Sequence, residues 1–412
     1  MHIAMVTDYY LPTLGGVQTA IKAAKESLSQ LGHHVTIFAP LHTPSTDLDS
    51  LDPDVVALPA SKAFKPDGSP FTWPPQKAFE VLTAALAERN VDVVHVHSEI
   101  FAALAGIKAA RTLSLPLVQS MHGRLDVYTA NVLPVPEITT RVLAAVHRRH
   151  LGHGSAPEHP EDAYMHSAVA RRMWQLMTTQ GNTADAVVVP SAHFAAKLVR
   201  QGLTAPVHVI SNGLEDSVLN SVGTAQPRTK AAHEPLKLMW CGRISPEKRP
   251  EVFVQAVAAA GEAVVANIYG DGAAAAKLQR LVKHLGVDHR VRMHGSVAQE
   301  EVLAAMQQHH AFVSSSYGFD NQPMVILEAM SCGLPIVLSD PDLGEGLPVG
   351  AYVVAATQSH QDLAAAFRLL MANTSTLPSM STTLAIPQQR VSASAHAELL
   401  VGIYSNLLAA RS

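Results

Sequence analysis

The feature that most constrains the fold is an alternation of short β-branched runs with helical stretches rich in alanine and leucine, which occurs twice along 412 residues. Such alternation is typical of parallel βαβ units, because a parallel strand needs a crossover helix before the next strand can pair with it. A stretch rich in small, polar and proline residues, Ser221 to Pro235, separates the two series. The sequence therefore predicts an α/β protein in which two Rossmann-like, doubly wound domains face each other across a cleft.

The same pattern predicts individual elements and boundaries. The predicted strands are His2–Thr7, His34–Phe38, Val93–His97, Leu117–Met121, Ala186–Val189, Leu236–Cys241, Ala263–Tyr269, Val291–His294, Ala311–Ser314 and Pro335–Leu338. The predicted helices include 17–31, 78–89 and 393–410, and residues 147–162 are predicted to form a polar loop between two helices. The predicted parts are an N-terminal domain (1–215), a linker (216–235), a C-terminal domain (236–392) and a last helix (393–412) with the N-terminal domain as its candidate packing partner.

Composition narrows the class of protein. Apolar residues make up 48% of the chain and charged residues 16%, enough to bury two cores and too apolar for general disorder. The 30 basic and 34 acidic residues give a net charge of −4, which argues against a nucleic-acid-coating protein. Cys241 and Cys332 form neither a disulfide framework nor a metal-type spacing. Because we find no signal-peptide pattern and no long apolar stretch, we expect a cytoplasmic protein.

The turns that follow the predicted strands are where ligands bind in doubly wound sheets. Gly15 and Gly16 precede a helix and would let a phosphate approach its N-terminus, although an ordinary βα turn also explains a glycine pair. Because the pattern is not GxGxxG, it does not support a nicotinamide site. His122 follows the Leu117–Met121 strand and could bind a substrate hydroxyl, or it could be a structural histidine.

Two further turns carry charged groups. Arg243 and Lys248 follow the first strand of the second series, and a guanidinium and an ammonium there suit a diphosphate. The alternative is a solvated basic turn that Glu247 compensates. Asp320 and Glu328 bracket a loop and a helix start, where they could bind sugar and ribose hydroxyls. The alternatives are a helix cap or turn role for Asp320 and a dipole role for Glu328.

In their order along the chain, these residues resemble the retaining GT-B glycosyltransferases of family 4. The resemblance covers nearly the whole chain and is carried by Gly15-Gly16, His122-Gly123, Ser211-Asn212-Gly213, Gly242–Lys248 (GRISPEK), Tyr269-Gly270-Asp271-Gly272 and the loop that leads to Glu328-Ala329-Met330 and Cys332-Gly333-Leu334-Pro335. Each motif is modest, whereas the ordered set is specific.

The resemblance implies a nucleoside-diphosphate sugar as donor, held mainly by the C-terminal domain. It implies catalytic roles for His122, Arg243, Lys248 and Asp320. It implies donor binding by Gly15, Gly16, Arg243, Lys248, Gly270, His294, Gly295, Asn321, Gln322, Pro323, Met324 and Glu328. In that scheme Arg243 and Lys248 bind the diphosphate and Glu328 binds the ribose. Asp320 and the backbone of residues 321–324 hold the sugar, the backbone at 294–295 meets the base, and His122 reaches the transferring sugar.

The family resemblance also implies that no metal or other cofactor is needed, and we find no DxD-like pair placed for a nucleotide-bound cation. Asp340 and Asp342 are expected to belong to a loop. Asp320 stands where the family usually has glutamate, and the loop 319–324 lacks the family's common second glycine. Because aspartate is one methylene shorter, we expect the sugar to sit differently or to be a different hexose.

On the acceptor side, the chain resembles the branch of the family that glycosylates membrane lipids, such as diacylglycerol glucosyltransferases. The acceptor-side residues implied are Asp8, Tyr9, His97, Glu99, Arg124 and Tyr128. Residues 141–152 pair apolar positions with a basic cluster, which is typical either of a helix on an anionic membrane or of an ordinary surface helix.

The expected function is therefore transfer of a hexose from a UDP-glucose or GDP-mannose type of donor to a lipid or glycan of the cell envelope, without nucleic acid as a partner. The expected location is the cytoplasm, peripheral on the inner face of the plasma membrane. Two alternatives remain open from the sequence: a nucleotide-sugar epimerase of the same fold, and a non-catalytic nucleotide-sugar binder.

Overall fold

The computed structural model describes residues 1–9, 15–41, 52–61, 65, 70–222, 227–384 and 391–411. The chain divides into two compact units. The N-terminal unit comprises Met1–Gly213 with Ala393–Ser412, and the C-terminal unit comprises Leu214–Ser392.

The N-terminal unit is built on a parallel sheet of seven strands in the order β3-β2-β1-β4-β5-β6-β7. Its strands are β1 (His2–Val6), β2 (His34–Pro40), β3 (Val55–Leu58), β4 (Val93–Val96), β5 (Leu117–Ser120), β6 (Ala186–Val189) and β7 (Val207–Val209). Its helices up to this point are α1 (Gly16–Gln30), α2 (Pro75–Glu88), α3 (Phe101–Thr112), α4 (Leu125–Val132), α5 (Pro136–Leu151), α6 (Ala168–Gly181) and α7 (Ala192–Arg200).

Strand β1 shows why these runs are apolar without alternation. Its residues 3–6 are fully buried because helices cover both faces of the sheet. Ala4 and Val6 belong to the core on one face, and Ile3 and Met5 belong to the core on the other. Strand order reverses between β1 and β4, so the turns after these two strands meet at the carboxyl edge of the sheet.

The C-terminal unit has a parallel sheet of six strands in the order β10-β9-β8-β11-β12-β13. Its strands are β8 (Leu236–Cys241), β9 (Val264–Tyr269), β10 (Val291–Gly295), β11 (Ala311–Ser314), β12 (Ile336–Leu338) and β13 (Tyr352–Val354). Its helices are α8 (Asp216–Val222), α9 (Pro250–Ala260), α10 (Ala275–His284), α11 (Gln299–Gln307), α12 (Met324–Ser331), α13 (His360–Ala372) and α14 (Thr376–Thr383). Here strand order reverses between β8 and β11.

The last helix, α15 (Ala393–Ala409), belongs to the N-terminal unit, where it packs beside α1. Its Leu400 and Tyr404 are completely buried in the core that contains Ile3 and Met5. The Tyr404 hydroxyl lies 2.6 Å from Nδ1 of His95, a fully buried residue of β4. The chain therefore returns to its first unit and closes one face of that sheet.

The structure adds three strands, β3, β7 and β13, to the predicted set, and within the described ranges it has a helix in place of a predicted loop or linker at two further places. Helix α5 continues to Leu151, so His147 to Leu151 lie in a helix rather than in the predicted loop; His147 is buried there. The predicted linker 216–235 begins with α8, whose Val218 and Leu219 are buried. In the same segment Arg228 is 7% exposed and donates hydrogen bonds to the carbonyl oxygens of residues 307 and 332. The buried apolar residues of α8 and the buried guanidinium of Arg228 thus attach this segment to the C-terminal unit.

The contact of Tyr404 with His95 gives a prediction for stability. In Tyr404→Phe, we expect the free energy of unfolding of the N-terminal unit to fall by about 1–3 kcal/mol, because a buried imidazole nitrogen loses its partner. Urea unfolding followed by fluorescence of the buried Trp174, with Trp73 and Trp240 replaced by phenylalanine, measures this unit alone.

Tyr317→Phe is the matched control, since Tyr317 is 43% exposed and lies in the other unit. It should change stability by no more than about 0.5 kcal/mol. Equal stability of the Tyr404→Phe variant and this control would contradict an anchoring role for the hydroxyl.

Candidate functional site

The strand-order reversal of the C-terminal unit brings together the turns that carry the predicted donor residues. Residues 242–245 follow β8, a short 3-10 turn covers Pro246–Lys248, and α9 begins at Pro250. Beyond β11, residues 315–323 lead into α12. Because β8 and β11 are neighbours in the sheet, both segments lie at one carboxyl edge.

Lys248 and Asp320 form an ion pair at this edge. The ammonium Nζ of Lys248 lies 2.6 Å from Oδ1 of Asp320 and 5.5 Å from the centre of the Phe319 ring. The second carboxylate oxygen of Asp320 is buried and has no hydrogen-bond partner among the described residues. Since the ammonium has three N–H donors and Oδ2 keeps its acceptor capacity, both groups can still bind a ligand.

Ser315 holds the backbone beneath this ion pair. Its hydroxyl donates to the carbonyl oxygen of Lys248 at 2.8 Å and accepts from Nε1 of Trp240 at 2.9 Å. Ser315 is fully buried, so these bonds fix the turn after β8 to the start of the loop after β11. Sequence reasoning did not find Ser315, because the signal is a tertiary contact across 67 residues.

Arg243 is oriented by Glu247. Its Nη2 donates to Oε1 of Glu247 at 2.9 Å, and the hydroxyl of Ser245 donates to the same oxygen at 2.7 Å. The Glu247 side chain is 1% exposed, whereas that of Arg243 is 41% exposed. Glu247 therefore compensates the positive charge of Arg243, which is the alternative role that the sequence left open. It also fixes the direction of the guanidinium.

Gly270 allows the turns after β8 and β9 to touch. A Cβ atom at this position would lie 1.9 Å from the carbonyl oxygen of Gly242, and the φ angle of 128° is one that glycine adopts readily. The N–H of Gly242 donates to the carbonyl oxygen of Tyr269, and that of Gly270 donates to the carbonyl oxygen of Gly295. The predicted donor residues Gly270 and Gly295 thus join three consecutive turns.

His294 stacks on Tyr269 with ring centres 4.3 Å apart and planes 5° from parallel. Asn267 links His294 to His309: its oxygen lies 2.7 Å from Nε2 of His294, and its nitrogen lies 3.0 Å from Nε2 of His309. Nδ1 of His309 lies 2.6 Å from the carbonyl oxygen of Ala305, which can only accept. His309 therefore accepts at Nε2, and His294 carries its proton on Nε2.

Glu328 lies on the second turn of α12 and is 7% exposed. Its Oε1 accepts a 2.7 Å hydrogen bond from Nε2 of Gln299, the first residue of α11, and burial raises its pKa. Because α12 begins at Met324, Glu328 is too far along for a first-turn dipole role. Pro323 precedes this helix, and Asn321 and Met324 are buried, whereas Gln322 is half-buried.

Asp340 lies in a loop, as the sequence predicts. Its carboxylate accepts from the backbone N–H of Gly318 at 2.6 Å and from that of Asp342 at 3.0 Å. Within the described ranges, no three or more His, Cys, Asp or Glu side chains form a group that could hold a metal ion.

In the N-terminal unit, the carboxylate of Asp8 caps α3. It accepts the backbone N–H groups of Ala102 at 2.7 Å and Ile100 at 3.0 Å, and the hydroxyl of Ser98 at 2.7 Å. These bonds join the turn after β1 to the turn after β4 and account for both carboxylate oxygens. A role of Asp8 toward an acceptor stays a prediction, with this structural role beside it.

Arg124 is paired with a neighbour. Its guanidinium donates to both oxygens of Asp126 at 2.9 and 2.5 Å and lies over the rings of Tyr164 and Trp174. Arg124 is 7% exposed, so the pair is buried. Tyr128, on the next turn of α4, packs against the apolar core that contains Trp174. The contacts give Arg124 a packing role, and its acceptor role stays a prediction.

Glu99 carries a buried carboxyl group in the turn that follows β4. Burial and the nearby charge of Asp8 raise its pKa to about 8. Its carbonyl oxygen accepts a hydrogen bond from Nε2 of Gln180 at 3.1 Å. A carboxyl group that is protonated near neutral pH can donate a hydrogen bond, which suits contact with a hydroxyl.

His122 is half-buried and lies beside two buried histidines. Its Nε2 lies 3.2 Å from Nδ1 of His97, whose ring in turn lies 4.0 Å from that of His95. Burial lowers the pKa of His122 to about 4 and holds that of His97 well below its usual range. His396, on α15, is half-buried and donates from Nδ1 to the carbonyl oxygen of Ser211 at 2.8 Å.

The remaining acceptor-side and glycine positions lie near the carboxyl end of β1. The backbone N–H of Tyr9 donates to the hydroxyl of Thr7 at 3.1 Å. Gly15 is the N-cap residue of α1, in extended conformation, and Gly16 is the first residue of that helix. Residues 10–14 lie outside the described ranges.

Comparisons with known proteins bear on the family and the fold of the chain. Residues 14–218 match the family model Glycosyltransferase Family 4, and residues 235–373 match the model Glycosyl transferases group 1. The alpha-monoglucosyldiacylglycerol synthase of Acholeplasma laidlawii is 21% identical over 83% of this chain and 81% of that protein. The GDP-mannose-dependent alpha-mannosyltransferase of Mycobacterium tuberculosis is 25% identical over 82% of this chain and 79% of that protein.

Two solved structures share the architecture. The sucrose-phosphate synthase of Thermosynechococcus elongatus superposes with a TM-score of 0.74, 18% identity and 99% coverage of both chains. HepE of Anabaena, solved in complex with UDP, superposes with a TM-score of 0.69, 16% identity and coverage of 98% of this chain and 100% of that chain. Together with the two parallel sheets, these neighbours define a GT-B fold.

The chain belongs to the family 4 and group 1 glycosyltransferases, and it is an enzyme of the hexosyltransferase type. The predicted fold, family and enzyme class are therefore confirmed. The roles of the individual site residues stay predictions.

The buried histidines give a prediction for pH dependence. A histidine whose pKa is lower in the folded state binds fewer protons there than in the unfolded state, so stability rises with pH. As pH falls from about 6.5 toward 4, each such group lowers the free energy of unfolding by up to about 1.4 kcal/mol per pH unit. We expect His97→Gln to make this fall shallower, as measured by urea unfolding through Trp174 fluorescence at several pH values.

His208→Gln is the control, because His208 is exposed on β7 of the same sheet. It should leave the slope of stability against pH unchanged. If His97→Gln kept the wild-type slope as well, the buried histidines would not be responsible for the acid sensitivity.

Proposed function

We propose that the enzyme transfers a hexose from a nucleoside-diphosphate sugar to a lipid or glycan of the cell envelope, with retention of the anomeric configuration and without a metal ion. The observation that carries this proposal is the pair of Lys248 and Asp320 at the strand-order reversal of the C-terminal unit. One side chain is suited to phosphate and the other to sugar hydroxyls.

The donor is of the UDP-glucose or GDP-mannose type. Arg243 and Lys248 bind its diphosphate, Asp320 with the backbone of residues 321–324 binds the hexose, and Glu328 binds the ribose. The carboxylate of Glu328 suits two vicinal hydroxyls, and Gln299 supports it on one oxygen. The stacked pair of His294 and Tyr269 lies at the same carboxyl edge, where the base would bind.

The proposed transfer needs no nucleophile from the enzyme. The bond from the anomeric carbon to the leaving phosphate oxygen breaks while the acceptor hydroxyl approaches on the same face. The departing diphosphate takes the proton of that hydroxyl. Because negative charge grows on the diphosphate, Arg243 and Lys248 are the main electrostatic catalysts. In the N-terminal unit, His122 keeps the sugar-contacting role that the family resemblance implies, and its low pKa means that it acts as a neutral imidazole.

A lipid acceptor is supported by the names of relatives, which include two alpha-monoglucosyldiacylglycerol synthases. The proposed location is peripheral, on the inner face of the plasma membrane. Helix α5 supports this, because Ile138 and Val142 are more than half exposed next to the exposed Arg141. No helix in the described ranges is both long and apolar enough to cross a membrane.

Donor specificity can be measured directly. The enzyme is incubated with a panel of UDP- and GDP-sugars in EDTA, with and without bacterial lipid extract, and the released nucleoside diphosphate is measured. We expect release from one donor, stimulated by the extract and indifferent to EDTA, and proton NMR of the product should show the donor's anomeric configuration. Inactivation by EDTA, an inverted product, or isomerisation of the donor without an acceptor would each contradict the proposal.

The roles of the two cations can be tested by substitution. Lys248→Ala and Arg243→Ala should each lower kcat about 10²- to 10³-fold, because each removes a charge that stabilises the leaving diphosphate. Lys277→Ala, which removes an exposed lysine on α10, should keep full activity. Circular dichroism and thermal unfolding establish that the variants are folded. Full activity of both Lys248→Ala and Arg243→Ala would overturn the assignment of these residues to the diphosphate.

A further inference from the structure

A basic cavity lies between helices α5 and α6 of the N-terminal unit. Its volume is about 350 Å³, and it is formed by these two helices and the segment that joins them. Four of the lining side chains are arginines: Arg141, Arg148, Arg171 and Arg172. Among the described residues that line it, none is acidic. None of the predicted catalytic or donor-binding residues lines it either.

Two of the arginines are held in place by neutral oxygens. Nη1 of Arg171 donates to the carbonyl oxygen of Met165 at 3.0 Å, and Nη1 of Arg172 donates to the hydroxyl of Thr140 at 2.6 Å. The carboxylate of Glu137 lies 3.9 Å from Nη2 of Arg172. Since each guanidinium has five N–H donors, these contacts leave most of the donors for a ligand.

The other two arginines have no such contacts. Within the described ranges, the guanidinium groups of Arg141 and Arg148 make neither a hydrogen bond nor an ion pair. Burial lowers the pKa of Arg172, and the positive charges of Arg141 and Arg148 lower it further against the effect of Glu137. The cavity therefore holds mutually repelling cations whose charge a bound anion would neutralise.

His147 supplies a second, independent observation. Nε2 of Gln180 donates to the carbonyl oxygen of Glu99, which can only accept, so the amide NH₂ of Gln180 faces Nδ1 of His147 at 3.4 Å. The imidazole must then carry its proton on Nε2. His147 is 4% exposed and lines the cavity, and its Nε2 has no hydrogen-bond partner among the described residues.

The charge state of His147 agrees with this geometry. Burial lowers its pKa to about 3, so the ring is neutral at physiological pH. A buried N–H donor without an acceptor destabilises the folded protein, and an oxygen atom of a ligand in the cavity would relieve that cost.

We propose that the cavity between α5 and α6 is a binding site for a phosphate group, which Arg141 and Arg148 bind by charge-assisted hydrogen bonds and to which the Nε2–H of His147 donates. A phosphate offers several acceptor oxygens to the guanidinium forks of these arginines. The cavity holds about ten times the liquid volume of a water molecule, so it admits a phosphate together with its ester group. This inference does not depend on the proposed transfer reaction.

The phosphate can come from a phospholipid headgroup or from a soluble phosphate ester. Helix α5 favours the lipid, because its exposed Ile138 and Val142 follow the exposed Val135 at helical spacing, beside the arginines. The shared chemistry is a phosphate with at least one charged oxygen, and the two sources can be distinguished by experiment.

Phosphate binding is measured by calorimetry with inorganic phosphate and with glycerol 3-phosphate in a phosphate-free buffer. The full chain carries Arg243→Ala and Lys248→Ala as background, so that the proposed diphosphate site does not contribute. We expect saturable binding, weakened about tenfold to a hundredfold by Arg141→Gln with Arg148→Gln. Arg149→Gln, which removes an exposed arginine of α5 that does not line the cavity, should leave the affinity within twofold.

The absence of saturable binding, or an equal loss in Arg149→Gln, would overturn the proposal. The source is identified with phosphatidylcholine vesicles that do or do not contain phosphatidylglycerol. If the cavity variant loses the phosphatidylglycerol-dependent sedimentation that Arg149→Gln retains, the site takes a lipid headgroup. If it loses glycerol 3-phosphate binding and still sediments like Arg149→Gln, the site takes a soluble phosphate ester.

Discussion

The ion pair between Lys248 and Asp320 depends on a topological constraint, and the candidate donor site is built around that pair. The two side chains are 72 residues apart and meet only because strand order reverses between β8 and β11. Burying either charge alone would be costly, whereas the two opposite charges compensate each other. Ser315 fixes the backbone under the ammonium, and α12, which carries Glu328, begins four residues after Asp320. The positions of the candidate phosphate, sugar and ribose contacts are thus coupled.

The central strands were predictable because parallel strands buried on both faces leave uninterrupted apolar runs. Strands β3, β7 and β13 are absent from the predicted set, and each of them is an edge strand of its sheet. An edge strand has a neighbour on one side only and is partly exposed, as the three half-buried residues of β13 illustrate. Its short, mixed pattern therefore resembles a loop. The helical start of the predicted linker was missed for a similar reason, since α8 has only seven residues.

The candidate site was predictable where chemistry is concentrated in a contiguous motif, as in Gly242–Lys248 and the loop from Asp320 to Glu328. It was not predictable where a role is set by a distant partner. The capping of α3 by Asp8 joins residues 94 apart, and Gln299 reaches Glu328 across 29 residues. Arg124 shows the reverse case. Its partner Asp126 is close in sequence, but the burial of the pair against Tyr164 and Trp174 depends on α6 and the segment before it.

Helix α15 gives the chain an order of assembly that neither sheet reveals by itself. The face of the first sheet that α15 covers includes Ile3 and Met5, whereas Leu400 and Tyr404 of α15 are made almost 400 residues later. Between these events the whole C-terminal unit is synthesised. During that time, the face of the first sheet that α15 will cover stays exposed as an apolar surface. The N-terminal unit is therefore a candidate substrate for chaperones during translation. The N-terminal unit can therefore be completed by α15 only after the C-terminal unit has been synthesised.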